Sequence, residues 1–555
     1  MIPVNRRKFL GAAAMVAARA AIPGRLSAAP RWAGHIGRAD AASSANALLP
    51  ATLDASTLRT LAAAALDAAR AAGATYADVR VAELHELEIR QRFGEPLVPD
   101  VDLIVTFTYG VRVLVNGAWA FAHGSAPDAA SVAASARGAV ATAKGNAAAL
   151  KPSSQASPEW TAAPPVTGEW TSPVRIDPFG VAIEDQIAVL WAGEQAAQRT
   201  SGVEANGEVT WRRESRVIAS TDGTMVTQTT CRGLPYFGAS SDRGTGFVSL
   251  RLPLVSTSGG YETILVPTLQ DQMKVAGEQV LRLASLPYRP MDVGRHPAVF
   301  DGFSMGSLSI ATLGAALELD RVMGYEADAS GTSFLAPVDE ILGQQFFSPL
   351  LNVSAGRAVP AVNAVKWDDD GVEVHPYPVI TGGRVVDYHT SRSTASTLRS
   401  WYERQHLPMA SRGCAVAVTA ADPVLIRTPH LTMEAGDSAT TIDALCKEVG
   451  RGVLVHQADW GSLSMDQRCG SGALVGATMF EIERGQIVRR VADAGLQFAT
   501  RGLWKSLVAV GGTNTVQTCD GWGMKGQPWI PVRQSATAPA VAFKDVDLIM
   551  TGRRS

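Results

Sequence analysis

The chain has 555 residues, 46% of them hydrophobic and 18% charged, which is apolar material for more than one core. Its net charge of −2 and pI of about 6.5 give no electrostatic case for nucleic acid or an anionic membrane as a partner. Beyond the N-terminus no apolar run reaches the roughly 18 residues of a membrane span.

The first 45 residues read as an address and a tail. "NRRKFLGAAAMVAARAAIP" sets Arg6 and Arg7 before Phe9 and Leu10 and a weakly apolar, Ala-rich stretch. It resembles a twin-arginine signal, which carries proteins out already folded. "SAA" at 27–29 and "ADA" at 39–41 both fit a cleavage site, and the choice stays open. A periplasmic or other extracytoplasmic location is the expectation.

Residues 54–72 predict a helix. Asp54 caps it, Leu58, Leu61, Ala65, Leu66 and Ala69 form one stripe, and Gly73 ends it. Period two follows: Val79, Val81, Leu87 and Ile89 share one parity, and Leu103 to Val115 repeat the pattern. Asn116-Gly117 is a type I′ hairpin signal, and residues 125–145 return to helix. Residues 151–178 are rich in Pro, Ser and Thr, a linker or an extended edge segment, with a helix at about 180–200. Strands dominate afterwards, with Asp222-Gly223 as a further hairpin turn and a helix near "SATTIDALCKEVG".

These signals give an α+β fold. An N-terminal antiparallel sheet with helices occupies 50–150, a Pro-rich linker and helix 151–204, and a β-rich C-terminal domain 205–555.

Chemistry-bearing candidates are few. Cys231, Cys414, Cys446, Cys469 and Cys519 are scattered, without CxxC or Cys/His metal spacing, and read mostly as small core residues; a disulfide or two stays open. None of the nine histidines forms HxxxH or HxH. His85 shares the apolar parity of its strand and is expected in the core, whereas His389, in "DYHTSRS", is expected in a loop or at the surface. "WDDDG" (367–371) lacks EF-hand spacing and reads as a turn between strands. "CGSGALVG" (469–476) has no Lys and no following helix signature, so it makes no phosphate loop. "GFSMG" (302–306) matches G-x-S-x-G after a strand-like "PAVF", which would make Ser304 a hydrolase nucleophile; the βα alternation of such a hydrolase is missing.

"SIATLGAALELDR" (309–321) predicts a helix with Ile310, Leu313, Gly314 and Leu317 on one stripe and Glu318 paired to Arg321. It holds no nucleophile of obvious standing, no histidine and no cluster of metal ligands.

Several stretches, in order, carry a resemblance: "YADVRVAE", "GVRVLVNGAWAFA", "PVRIDPF", "ELDRVMGYEADASGTSF", "DDDGV", "LTMEAGDS", "RGVLVHQADWG" and "GMKGQP". The chain resembles the TldD/PmbA family over about residues 50 to 553. That resemblance implies a peptidase fold acting on unstructured peptides, assembled from two homologous subunits. One subunit of such a pair holds zinc through HExxxH and a distant Cys in a CGKGQ-like turn. Two imidazoles and a thiolate leave one zinc position open, and the Glu takes a proton from the bound water.

The family's "HEAxGHxLELDR" overlays "IATLGAALELDR" without a gap. Its two metal-binding histidines fall on Ile310 and Ala315, its catalytic Glu on Ala311, and its Cys on Gly523 of "GMKGQP". The resemblance therefore implies a zinc-less, non-catalytic subunit that binds peptide against a sheet edge. Its partner would be a homologous TldD-like subunit with intact HExxxH and Cys, holding the zinc. Alternatives stay open: a peptidase or hydrolase using Ser304, or a different metal site drawing on Glu318, Asp320, Glu326 or Cys519, the last requiring a four-residue shift of the turn. A stand-alone peptide-binding protein is the third reading.

Overall fold

The computed structural model describes residues 52–91, 99–150, 159–243, 246–252, 254–265, 269–358 and 360–552. The twin-arginine segment and both cleavage sites lie outside them.

Helix α1 (Ala55–Ala71) begins where Asp54 accepts the Thr57 N–H at 2.7 Å, and it buries the expected stripe. It ends before Gly73, at φ +94°. Strand β1 (Tyr76–Gln91) pairs with β2 (Pro99–Val115), which turns through Asn116 and Gly117, both at positive φ, into β3 (Ala118–Gly124). Helix α2 (Ala129–Ala149) follows, capped by Asp128.

The Pro-rich stretch resolves into an edge strand, β4 (Thr167–Thr171), before α3 (Ile183–Gln198). Strands β5 (Glu204–Ser220), β6 (Met225–Ser241), β7 (Val248–Arg251) and β8 (Thr257–Ser258) then join the same eight-stranded sheet, whose main order is β3-β2-β1-β5-β6-β4. The boundary expected at residue 205 thus falls inside a sheet. Strand β5 pairs with β1 from Asp78↔Ser220 to Arg90↔Glu208, because Val79, Val81, Leu87 and Ile89 continue across Val209, Trp211 and Val217 as one apolar face. Helices α1 and α2 cover one end of that face; α3 and α4 (Leu269–Ser285) cover the other.

The opposite face is charged and meets the C-terminal region. Arg216 Nη1 donates to Asp369 Oδ1 at 2.7 Å and Arg112 Nη2 to Asp370 Oδ1 at 2.7 Å. "WDDDG" is a turn, as expected, yet its three aspartates are buried. It clasps one sheet to the other part of the chain.

That C-terminal region is β-rich. In a ten-stranded sheet, β9 (Gly294–Phe300) lies between β10 (Arg451–His456), parallel to it, and an antiparallel C-terminal strand (Val541–Met550). A six-stranded sheet has β11 (Gln517–Lys525) at its edge, paired with β12 (Ile530–Ala538). Helix α5 (Gly302–Ser309) packs on β11 and β12. Among the described residues no helix is long and apolar enough to cross a membrane.

Candidate functional site

Strand β9 delivers the chain to Asp301, whose Oδ1 accepts the Ser304 N–H at 2.8 Å and starts α5. The helix lies close to β11: a Cβ on Gly306 would come within 2.6 Å of Cys519 Sγ. The single helix expected over 309–321 is instead broken into short pieces. Ile310–Gly314 is a π-turn closed by the Ala315 N–H on the Ile310 carbonyl, and Ala315–Leu317 is a 3₁₀ turn. Glu318 leaves helical geometry at ψ 112° before a last turn, Leu319–Val322. Tertiary bonds impose this course, since Trp504 Nε1 donates to Thr312 Oγ1 at 3.0 Å and Glu318 is bonded to Thr428 and Lys525, far along the chain. Such π-turns concentrate at functional sites.

Ile310 is buried in the core, and Ala311 and Ala315 are half-buried. Gly523 lies on β11 opposite Val532. A butyl group, two methyls and a hydrogen carry no lone pair, so these four positions do not fit a zinc ion.

Just past the π-turn is a buried ionic cluster. Lys525 Nζ donates to Glu318 Oε2 at 2.9 Å, to Asp320 Oδ1 at 2.6 Å and to the Ile426 carbonyl at 2.9 Å. Glu318 Oε2 also receives Arg321 Nε at 3.0 Å, the expected pair, and Oε1 accepts the Thr428 N–H at 2.9 Å. Burial alone would raise the Glu318 carboxyl, but Lys525 and Arg321 outweigh it and hold the pKa at about 2. Glu318 and Asp320, weighed above as substitute ligands, are thus committed to an ammonium. Cys519 packs against Gly306 rather than toward residues 310–315, and burial pushes its thiol up to about 12. All five cysteines are free and buried. Among the described residues no group of three or more His, Cys, Asp and Glu side chains is arranged to hold a metal ion.

His85 is the core histidine expected, with Nε2 2.8 Å from Glu83 Oε1. His389 is not at the surface. It is fully buried, with Nδ1 2.7 Å from the Tyr377 hydroxyl and Nε2 unpartnered, and burial lowers its pKa to about 4. The polarity of "DYHTSRS" misleads because Asp387, Thr390, Ser391 and Arg392 are buried as well. The His389 N–H and carbonyl pair with Leu317 and Leu319, stitching the end of the π-turn segment in place.

Ser304 does not have the geometry of a nucleophile elbow. It is 1% exposed, sits inside α5 at negative φ, and its Oγ accepts the Ala458 N–H at 2.9 Å. His456 Nδ1 is 2.8 Å from Asp301 Oδ2, so that imidazole serves the helix cap.

Residues 293–549 match the family model of the PmbA/TldA metallopeptidase C-terminal domain. The C-terminal region of the chain is thus similar to that domain of the TldD/PmbA family. Three solved structures share its fold. A Thermotoga maritima protein, described as a proposed modulator of a DNA gyrase, is 16% identical with a TM-score of 0.66, over 88% of this chain and 99% of its own. A Bacteroides thetaiotaomicron protein with the same description is 16% identical with a TM-score of 0.62, over 89% and 98%. TldE from Thermococcus kodakarensis is 14% identical with a TM-score of 0.63, over 87% and 98%. No curated protein matches the sequence. Lys525 as the hub of the ionic cluster has one signal in the sequence, a Lys set between glycines and apolar residues in "GMKGQP".

Proposed function

We propose that this chain is a zinc-less, non-catalytic subunit of an exported TldD/TldE-type metallopeptidase complex that acts on unstructured peptides. One observation carries the reading: the three positions for zinc ligands and the one for the catalytic Glu hold Ile310, Ala315, Gly523 and Ala311. Without donors there is no Lewis acid, and without the carboxylate no base for a metal-bound water. The segment packs into the core, with Ile310, Leu313 and Leu317 buried.

In this reading the zinc belongs to a homologous partner with intact HExxxH and Cys. Peptide lies along a sheet edge, held by main-chain hydrogen bonds. Twin-arginine export suits a pair that assembles before leaving the cytoplasm.

The mature chain, purified alone without a metal-binding tag, tests this by elemental analysis. Less than about a tenth of an equivalent of zinc, iron or manganese is expected. Near one equivalent would return the chain to the enzymes. Produced together with a TldD-like protein bearing intact ligands, it should elute as a heterodimer, and a chain that stays monomeric or solely homodimeric would overturn the reading.

A further inference from the structure

We propose that a cleft in the C-terminal region binds a small anion that carries a planar ring. The ring stacks on Trp401, and its carboxylate or phosphate is held by Arg384 and Arg404. The proposal does not depend on the zinc positions, since none of Ile310, Ala311, Ala315 and Gly523 lines the cleft.

The cleft has a volume of about 840 Å³, in the range that encloses small ligands. Its walls come from residues 339–344, the strand Tyr377–Thr381, the short strand Arg384–Val385 and the helix Arg399–Arg404. One set of contacts brings the three binding side chains together. Trp401 is half-buried, and its Nε1 donates to the Val386 carbonyl at 3.0 Å, which fixes the ring. The far edge of that ring lies against Gly343, where a Cβ would come within 3.0 Å of Cη2. Arg384 Nη1 donates to the carbonyl of the same Gly343 at 2.9 Å. Arg404 reaches the ring from its own helix, with Cζ 5.9 Å from the ring centroid.

The charges of the cleft select the ligand. Asp387 and Arg412 also line it, but each is committed to the other. Arg412 Nε and Nη2 donate to Asp387 Oδ2 at 2.8 and 2.7 Å, and Oδ1 accepts the Tyr402 hydroxyl at 2.8 Å. Arg384 and Arg404 are exposed and pair with no carboxylate among the described residues. Asp339 is the remaining acid of the lining, so two uncompensated guanidinium groups face one carboxylate. A cation gains nothing there. An anion meets planar forks matched to its paired oxygens, while Trp401 offers a face to an attached ring.

Two sources share this chemistry: an aromatic residue at the C-terminus of a peptide, and a nucleotide. Calorimetric titration of the full mature chain separates them with N-acetylphenylalanine, its amide, adenosine monophosphate and adenosine. An anion that binds about tenfold or more tighter than its neutral analogue supports the site; the acid assigns a peptide terminus and the monophosphate a nucleotide. Acetylglycine, with the carboxylate but no ring, should bind about tenfold more weakly than N-acetylphenylalanine if the peptide terminus is the ligand. Arg384→Gln and Arg404→Gln, both at exposed positions, should each weaken the bound probe by about tenfold. Arg295→Gln, exposed and outside the cleft, should bind as the wild type does. The proposal is overturned if no probe binds, if the neutral analogues bind as tightly as the anions, or if both cleft variants match the wild type.

Discussion

The Gln534 amide stands in the space beside Gly523. A Cβ built at position 523 would fall 2.5 Å from Gln534 Cδ and Oε1 and 2.7 Å from Nε2. Gln534 faces Gly521 across the β11–β12 pair and is 5% exposed, so its buried side chain fills the space beside position 523. The departure from the zinc-binding pattern is therefore not confined to the four aligned positions. Packing has closed over one of them.

This gives a prediction about restoring the metal. Ile310→His, Ala311→Glu, Ala315→His and Gly523→Cys together supply the donors but leave the amide in the way. The fourfold variant should take up little zinc. Adding Gln534→Ala should raise the content toward one equivalent by elemental analysis. Equal occupancy in the two variants would show that Gln534 moves aside freely.

Lys525 is the next position where loss should be felt. It is 1% exposed and bonded to Glu318 and Asp320, so Lys525→Met leaves buried Asp320 without its cation and Glu318 with Arg321 alone. Breaking a buried ionic group from one side costs about 3–5 kcal/mol. Urea unfolding should show a loss of that order, and a variant as stable as the wild type would mean water replaces the ammonium.

Some of this architecture is legible in the sequence and some is not, for identifiable reasons. Local signals carried α1 and the first hairpin: Asp54, the Leu58 to Ala69 stripe, Gly73 and Asn116-Gly117 each act within a few residues. Alternation shows that β5 has one buried face, but not that its partner is β1, more than a hundred residues earlier. The "DDD" turn and the "DYHTSRS" segment look solvated because their polar groups are satisfied by residues far along the chain, such as Arg216 and Arg112 for the aspartates. The break at Glu318 is likewise tertiary, set by Thr428 and Lys525. Ile310, Ala311, Ala315 and Gly523 can be singled out by overlay on the family pattern, whereas Gln534 cannot, since a filled space leaves no motif.

Buried histidines set an acid limb on stability. Burial lowers both His389 and His430 to about 4, against 6.5 for an exposed imidazole. Above 6.5 both states are neutral and nothing is lost. As pH falls from 6.5 toward 4 the unfolded chain takes up protons that the folded chain refuses, so stability declines; for His389 the full span is about 3 kcal/mol. Urea midpoints measured across that range should fall, and His389→Gln should flatten the decline. A wild-type midpoint that holds steady down to pH 4 would contradict it.

Ser304→Ala separates packing from catalysis. The hydroxyl accepts one buried N–H, from Ala458, and its loss should cost about 1 kcal/mol. Any peptide hydrolysis by a complex containing this chain should be unchanged. A variant that folds normally but abolishes hydrolysis would make Ser304 a participant in the chemistry.

The clasp between the sheets is the last test, and it turns on which contacts hold the two parts of the chain together. Arg216 lies on the charged face of β5 and reaches Asp369 at 2.7 Å and the Ala417 carbonyl at 2.8 Å. Asp369 Oδ2 in turn accepts the Ala417 N–H at 2.9 Å. Asp369→Ala removes the acceptor for both, leaving a buried guanidinium with Glu214 as its one remaining carboxylate. A loss of about 3–5 kcal/mol follows from the uncompensated charge. Because the contact joins the eight-stranded sheet to a turn of the C-terminal region, and the two parts have separate hydrophobic clusters, the loss should fall on their docking before it falls on either core. Urea unfolding should then split into two transitions, with proteolysis opening near residues 367–371 first. A single transition shifted as a whole would mean that the two sheets unfold as one unit even without the clasp.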